Sequence, residues 1–567
     1  MRRLFVASAF TLTAACSGTV GGVMDGGNDA GSTIANDAGG EVTDAGSTPF
    51  DAGMISTLPT TCAVSLQPVD TTTPTTVVGT GDAASCTEGS LRAAVTAGGI
   101  VTFNCGASPV TIPLTATLVV PTDKDTVLDG ANKVTLDGQG TVRILEFSHG
   151  NYRVNDHSLT IQHLTLVNGR AAGTMSYPSA PTPCSQGFYD GSGGAVYVRD
   201  GVLRVFDSVF LNNHAAPLGP DVGGGAIYLA GSKRGLIAGS TFKGNQGSNG
   251  GAIGSLNSDL DVFNSLFEGN TAAGNGANSD DASKCSVLDP VTNQHQVGSG
   301  GNGGAVCIDG GSDGAKRFCG VKFVNNHGGA DALGGAIFRT PDGAKQTTVI
   351  DRCTFDGNTS TAGGGGAVYF HNSTLQILAS AFVHNSAKGP GGIQADGTTL
   401  DLQNVTFFGN AATAGLGGAL ALFGGDGALK SCTFANNTAE GGDPYFGAAI
   451  TAFATLAIDG SLFVNNTAAN PGAPMQCRLD ASTGTGNLQW PRTHRVGGAD
   501  DALCTPGITF ADPQLGPLGD HGGPTPTVAP AAGSPALNAA SNCLPTDQRG
   551  QARQAIACTA GAVEGSL

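Results

Sequence analysis

Few residue pairs in this chain have the types and spacing to do chemistry. Asp351-Arg352 is a carboxylate beside a guanidinium in the middle of a repeated region. Such a pair is what cleavage of an acidic glycan uses, with carboxylates as acid and base or as calcium ligands and a cation aimed at the sugar. Asn278-Ser279-Asp280-Asp281, with His295 nearby, is a second acidic cluster, in a long insertion where a solvated loop is the expected reading. The His-Gly pairs at 149, 327 and 521 are isolated, and no GxSxG nucleophile motif occurs. No CxxC spacing occurs and the histidines are scattered, so no metal site and no cofactor are expected.

Polysaccharide lyases and glycoside hydrolases need acids clustered on neighbouring elements. The slots beside the repeated Phe do not supply them. Three residues before it stand Asp207, Gly239, Asn264, Gly320, Arg352, Ala379, Asn404, Ser431 and Gly460. Four before it stand Phe206, Ala238, Phe263, Cys319, Asp351, Leu378, Gln403, Lys430 and Asp459. Neither slot stacks carboxylates, so no catalytic residue is assigned. Aromatic residues offer binding instead: Tyr197, Tyr228, Phe338 and Tyr369 each follow a Gly-Gly-Ala-Val/Ile phrase and are candidates for stacking on sugars. Strand alternation alone leaves open whether they face out or into the core.

The elements that position these residues are repeats. Phe-x-x-Asn recurs as Phe210/Asn213, Phe242/Asn245, Phe267/Asn270, Phe323/Asn326, Phe355/Asn358, Phe382/Asn385, Phe407/Asn410, Phe434/Asn437 and Phe463/Asn466. The residue five before each Phe is apolar, from Val205 to Ile458, and the residue two before is small or β-branched, from Ser208 to Ser461. This is strand periodicity with one phase break. Asn or Gly just before the final Asn, with His384 the exception, marks a left-handed corner. One repeat is too small to bury its own apolar face and must stack on its neighbours at ~4.8 Å. Phe then forms a ladder inside the stack and Asn a ladder at one corner, as amides do in other stacked strands. The expected fold is all-β, a single right-handed parallel β-helix of about 11–13 rungs. A short capping helix is expected over "GSLRAAVTAGG" (89–99), with Ser90 as N-cap, and a cap at the C-terminal end.

Composition agrees with many tight turns joined by short strands: 90 glycines, 25 phenylalanines and 13% charged residues in 567. A net charge of −17 excludes a nucleic-acid partner, which would need a basic face. Residues 1–15, "MRRLFVASAFTLTAA", read as a signal peptide, too short to span a bilayer. Residues 16–60 repeat Asp-Ala-Gly and read as an acidic tether. The 14 cysteines of an exported chain imply disulfides, with Cys62/Cys86/Cys105, Cys477/Cys504 and Cys543/Cys558 as candidate partners.

Several stretches resemble known families. Cys16 after Ala14-Ala15 resembles a bacterial lipobox, although Thr13 stands where Leu is preferred; the resemblance implies a lipid on Cys16 and a membrane anchor. "CTEGSLRAAV" followed by "IVTFNCG" is similar to the N-terminal segment of bacterial surface β-helix proteins. The Gly-Gly-Ala-Ile and Phe-x-x-Asn phrases are similar to those of polymorphic outer-membrane proteins. "DPQLGPLGDHGGPTPTVAPAAGSPALNAAS" (512–541), "TDQRGQAR" and "CTAGAVE" resemble the choice-of-anchor Q domain. The expected organisation is therefore an N-terminal cap region at 61–125, the β-helix at 126–470 and a choice-of-anchor Q-like region at 471–567. The resemblance implies an exported, lipid-anchored protein of the outer membrane or cell surface, or alternatively a secreted one. Its expected role is non-catalytic, as an adhesin or a binder of extracellular polysaccharide or another surface partner; the alternative is a polysaccharide lyase or glycoside hydrolase. Insertions at 171–192 and 271–302 occupy the same place in the repeat and are expected to emerge on one side.

Overall fold

The computed structural model describes Leu58 and residues 61–566, except 174–190, 218, 220–221, 275–285, 289–294, 298–299, 311–313, 315, 331, 342, 344, 362, 415–416, 442–445 and 495–497. Cys16, the signal peptide and the Asp-Ala-Gly tether lie outside these residues, as do most of both insertions and Asn278 to Asp281. Of the second insertion, Ser286–Leu288 pairs antiparallel with His295–Val297.

The chain winds as a parallel β-helix. Three long faces form one 35-stranded sheet and a short fourth face adds eight two-residue strands. The first face carries the Gly-Gly-Ala phrases, and its strands run in register from Leu118–Val119 to the start of Cys477–Thr483. The second begins at Thr76–Val78. The third runs from Val110–Pro113 to Thr509–Phe510 and carries the phenylalanines. The coil therefore extends beyond the expected 126–470 in both directions. The N-terminal cap region contributes strands, and the last turns include Leu488–Trp490 and Thr509–Phe510.

Stacking places equivalent residues on top of one another. Phe210, Phe242, Phe267, Phe323, Phe355, Phe382, Phe407, Phe434 and Phe463 pair in register and are fully buried. Their ring centroids lie 4.6–5.2 Å apart, so each interior ring is covered on both faces.

The asparagines form the second ladder, at the corner between the third and fourth faces. A ladder of polar side chains at a corner would ordinarily be open to solvent. Instead Asn213, Asn245, Asn270, Asn326, Asn358, Asn385, Asn410, Asn437 and Asn466 are all fully buried on the inside of the corner. The physical reason is that their amides are satisfied by one another. Each Nδ2 from Asn213 to Asn437 donates at 2.8–3.0 Å to the Oδ1 of the next asparagine, and Asn466 ends the column by donating to Gln476. The same Nδ2 also donates to a carbonyl on the preceding rung, that of Leu166 for Asn213 and that of Phe267 for Asn326. A buried amide column is stable only with such complete pairing.

The corners explain the remaining pattern. The residue before each ladder Asn is left-handed in all nine copies, including His384 at φ 54°. The phase break between the second and third faces is a single left-handed residue, which at Arg352 and Ala379 has φ 52° and 45°. The second glycine of Gly-Gly-Ala is fixed by close approach: a Cβ on Gly335 would sit 2.0 Å from the carbonyl oxygen of Gly366 on the next rung.

Both ends of the stack are closed. Helix α1, Glu88–Ala97, covers the first rungs with Leu91, Ala94 and Val95. Its N-cap is Thr87, which forms a capping box with Ser90, so Ser90 occupies the third helical position instead of the expected cap. At the other end Cys504, Ile508 and Phe510 join the main core, and Asp501 accepts from the amides of Met475 and Gln476. The Cys477–Cys504 disulfide holds this closure.

Residues 512–566 leave the axis and pack on the flank. Thr525 donates to the carbonyl of Ala379, Asn404 to that of Thr546, and Arg553 to the side chain of Asn404. Cys543–Cys558 forms as expected, and so does Cys86–Cys105 from the first cysteine group. Cys62 instead bonds Cys319, 257 positions away. Cys353 and Cys432 are free and buried in the small-residue column, and burial pushes both thiols up to about 12.

Candidate functional site

The Phe and Asn ladders are internal, so none of their side chains can touch a ligand, and function falls to what lies outside the coil. The aromatic slot is the first case. Val196, Ile227, Ile337 and Val368 point into the main core, and the rings that follow them point away from it. Yet Tyr197, Tyr228, Phe338 and Tyr369 are at most 4% exposed. Tyr197 and Tyr228 stack at 6.1 Å, with the Arg143 guanidinium 5.0 Å from the Tyr197 centroid. Phe338 and Tyr369 stack at 5.3 Å beside Leu333 and the disulfide-bonded Cys307. This corrects the expectation of sugar-stacking platforms: the four rings point away from the coil but are buried, and none has an open face. Tyr369 donates 2.8 Å to Asp396; burial pushes the phenol well above its ordinary value, and the Asp396 carboxyl adds to this.

The outer corner between the second and third faces holds two open features. Residues 61–71 lie along it as a strap. Under the strap, Val64 packs on a cluster of Phe206, Leu236, Ala238, Phe263 and the Cys62–Cys319 bridge, which explains two phenylalanines in an outward slot. A cavity of about 660 Å³ lies here, lined by Leu66, Pro68, Phe206, Asp207 and Asn264 among others. Asp207 lies at its rim, 3.8 Å from His163 Nε2, while His163 Nδ1 is 3.1 Å from Asp129. Burial raises the Asp207 carboxyl, with His163 opposing. Burial would also raise Asp129, but hydrogen bonds from Thr71, the Ala131 amide, Gln162 and His163 bring it below its ordinary value.

Further along the corner the strap meets the C-terminal region around a cleft of about 470 Å³. Its walls include Thr61, Asp351, Arg352, Gln403, Asn404 and Asp547. Asp351-Arg352 therefore does lie in a cleft. Asp351 accepts from Arg352 at 3.1 and 2.6 Å. Asp547 is held by Arg549 and by the amides of Arg549, Gln551 and Glu564. Each acid is neutralised by its neighbouring arginine, so the pairs are built as fixed polar walls. Cys62, Cys319 and Asp351 bring three metal-type ligand atoms within 4.8 Å, but the two sulfurs are bonded to each other.

Sequence reasoning missed two cations inside the coil. Lys316 stands in the inward column of Leu260, Thr348 and Leu375, and Arg339 in that of Ile308 and Phe370. Both are fully buried. Lys316 donates to Asp259 at 3.1 Å and to the Gly314 carbonyl; burial lowers its ammonium and Asp259 opposes this. Arg339 donates to the Gly310 carbonyl and to Gln346. Aligning inward columns rung by rung would have exposed both as exceptions.

The fold and its repeated residues define a parallel β-helix. Residues 207–230 and 352–371 match the Chlamydia polymorphic membrane protein repeat, spanning corner, Phe, Asn and the following Gly-Gly-Ala phrase. No curated protein matches the chain. Among solved structures, PfbA, a surface adhesin of Streptococcus pneumoniae, is similar at 11% identity and a TM-score of 0.31, covering 76% of this chain and 96% of that one.

Proposed function

We propose that this chain is an exported, surface-held binding protein whose β-helix is a scaffold and not a catalyst. The observation that carries this reading is the state of the cleft's acids: Asp351 and Asp547 are each engaged by an adjacent arginine. Both oxygens of Asp351 are taken by Arg352, and the Phe and Asn columns are taken up by stacking. The match to repeats of a membrane protein supports an exported surface location. Lipidation of Cys16 supplies the anchor in this reading, and the C-terminal flank acts as a choice-of-anchor Q-type domain. The ligand class is an extracellular polysaccharide or another surface partner, engaged along the corner where strap and C-terminal region meet.

Cell fractionation tests the anchor. Full-length chain is expected in the membrane fraction, and Cys16→Ala in the medium or periplasm. Retention on immobilised acidic and neutral polysaccharides tests binding, with Gln403→Ala and Asn404→Ala as cleft variants expected to weaken it. Retention of none of the panel by the wild type contradicts the glycan reading.

A further inference from the structure

Chain order and spatial order part company at the N-terminal side. Thr61 lies at the rung of Arg352, which donates to its carbonyl at 3.0 Å. Next, the side chain of Asn264 grips both backbone polar groups of Cys62, at 3.0 and 2.8 Å, and Cys62 is bonded to Cys319. The strap then descends over Phe206 and Phe263. Gln162 grips Val69 in the same two-handed way, at 2.8 and 2.9 Å, and Thr71 donates to Asp129. Only then does the chain enter its first strand at Thr76–Val78. At Thr61 the chain therefore meets the coil at mid-length, not at its first rung.

We propose that the Cys62–Cys319 disulfide is a mechanical staple. It passes tension from the N-terminal side straight into the middle of the stack and keeps the rungs between residues 62 and 319 out of the force path. This rests on the reading that the chain is held from its N-terminal side. In a solenoid each rung is held only by its neighbours, so a pull on an end rung removes rungs one after another. Without the staple, a pull through residue 61 would peel the strap and then the rung at Thr76, the end least supported. With it, the covalent path runs from Cys62 to Cys319, and the load reaches a rung stacked on both sides, at Phe263 and Asp351. The paired grips by Asn264 and Gln162 hold the strap straight along the corner, so the bond sits at the point where the load arrives.

Pulling single molecules of the full chain by handles at its two ends tests this. In the oxidised protein residues 63–318 stay out of the extension, whatever their folded state. Cys62→Ser/Cys319→Ser should then lengthen the fully extended molecule by at most about 850–920 Å, taking 3.3–3.6 Å per residue over those 256 positions, less what Cys86–Cys105 and the bond at Cys307 still close within them. It should also let the first rungs open at lower force than any event in the oxidised wild type. Wild type in dithiothreitol is the second arm if the double variant does not fold, and the shorter loops closed by the other disulfides add correspondingly less. Equal extension with and without the bond overturns the proposal, and so does the same lowest opening force in both. Because the pull is applied in solution, this failure is separate from that of the anchor reading, which fractionation of Cys16→Ala decides.

Discussion

Arg352 donates to the carbonyl of Thr61 across 291 positions of sequence, while its other nitrogens hold Asp351. One side chain thus ties the strap to a left-handed corner of the coil, and a pair that reads as acid and base is a structural clasp. Arg352→Ala should cost about 1–2 kcal/mol, the worth of charge-assisted hydrogen bonds at a partly exposed site. Amide exchange should quicken at residues 61–64 and stay unchanged in the Phe column.

The Asn column is less forgiving. Asn326 accepts from the amide and side chain of Asn270, and donates to the Phe267 carbonyl and to Asn358. Asn326→Ala leaves several buried groups unpaired and should cost about 2–4 kcal/mol, seen as early melting of the central rungs. Asn326→Asp should be no better, because a carboxylate cannot donate.

Much of this was legible in the sequence. Phe-x-x-Asn marked register because stacking repeats one environment on every rung, and Asn or Gly before the Asn marked a corner that His384 also adopts. That the Asn column lies wholly inside was not legible, since its burial depends on pairing between rungs and not on any one repeat. Nor was the strap. Cys62 and Cys319 are partners across 257 positions, and nothing local to either names the other. Thr87 and Ser90 both suit a cap, and the capping box uses both. The orientation of the tyrosine slot could be argued from alternation, but its burial could not, because alternation reports direction and not depth.

That burial yields a prediction. Tyr228 lies over Gly254, where a Cβ would meet its ring at 2.5 Å. Tyr228→Leu should lower stability by about 1–3 kcal/mol through lost packing, and Gly254→Val should do so by displacing the ring. Neither should change retention on polysaccharide columns, because the rings present no open face.

Stability should also depend on pH through His214. Burial lowers its imidazole, and Arg170 lowers it further. The unfolded chain then takes up a proton more readily than the folded one. The contribution is complete above the ordinary value of 6.5 and is lost as pH falls from there through the folded value. His214→Gln should flatten the melting temperature over that window, relative to wild type.

A coil that binds without cutting leaves its polysaccharide intact. The most direct test is to incubate the full chain with each polysaccharide it retains and count new chain ends over time. Retention with no ends above the protein-free control is expected, for wild type and for Asp351→Asn alike. New ends that appear with wild type and vanish with Asp351→Asn would contradict it and make the cleft an active site.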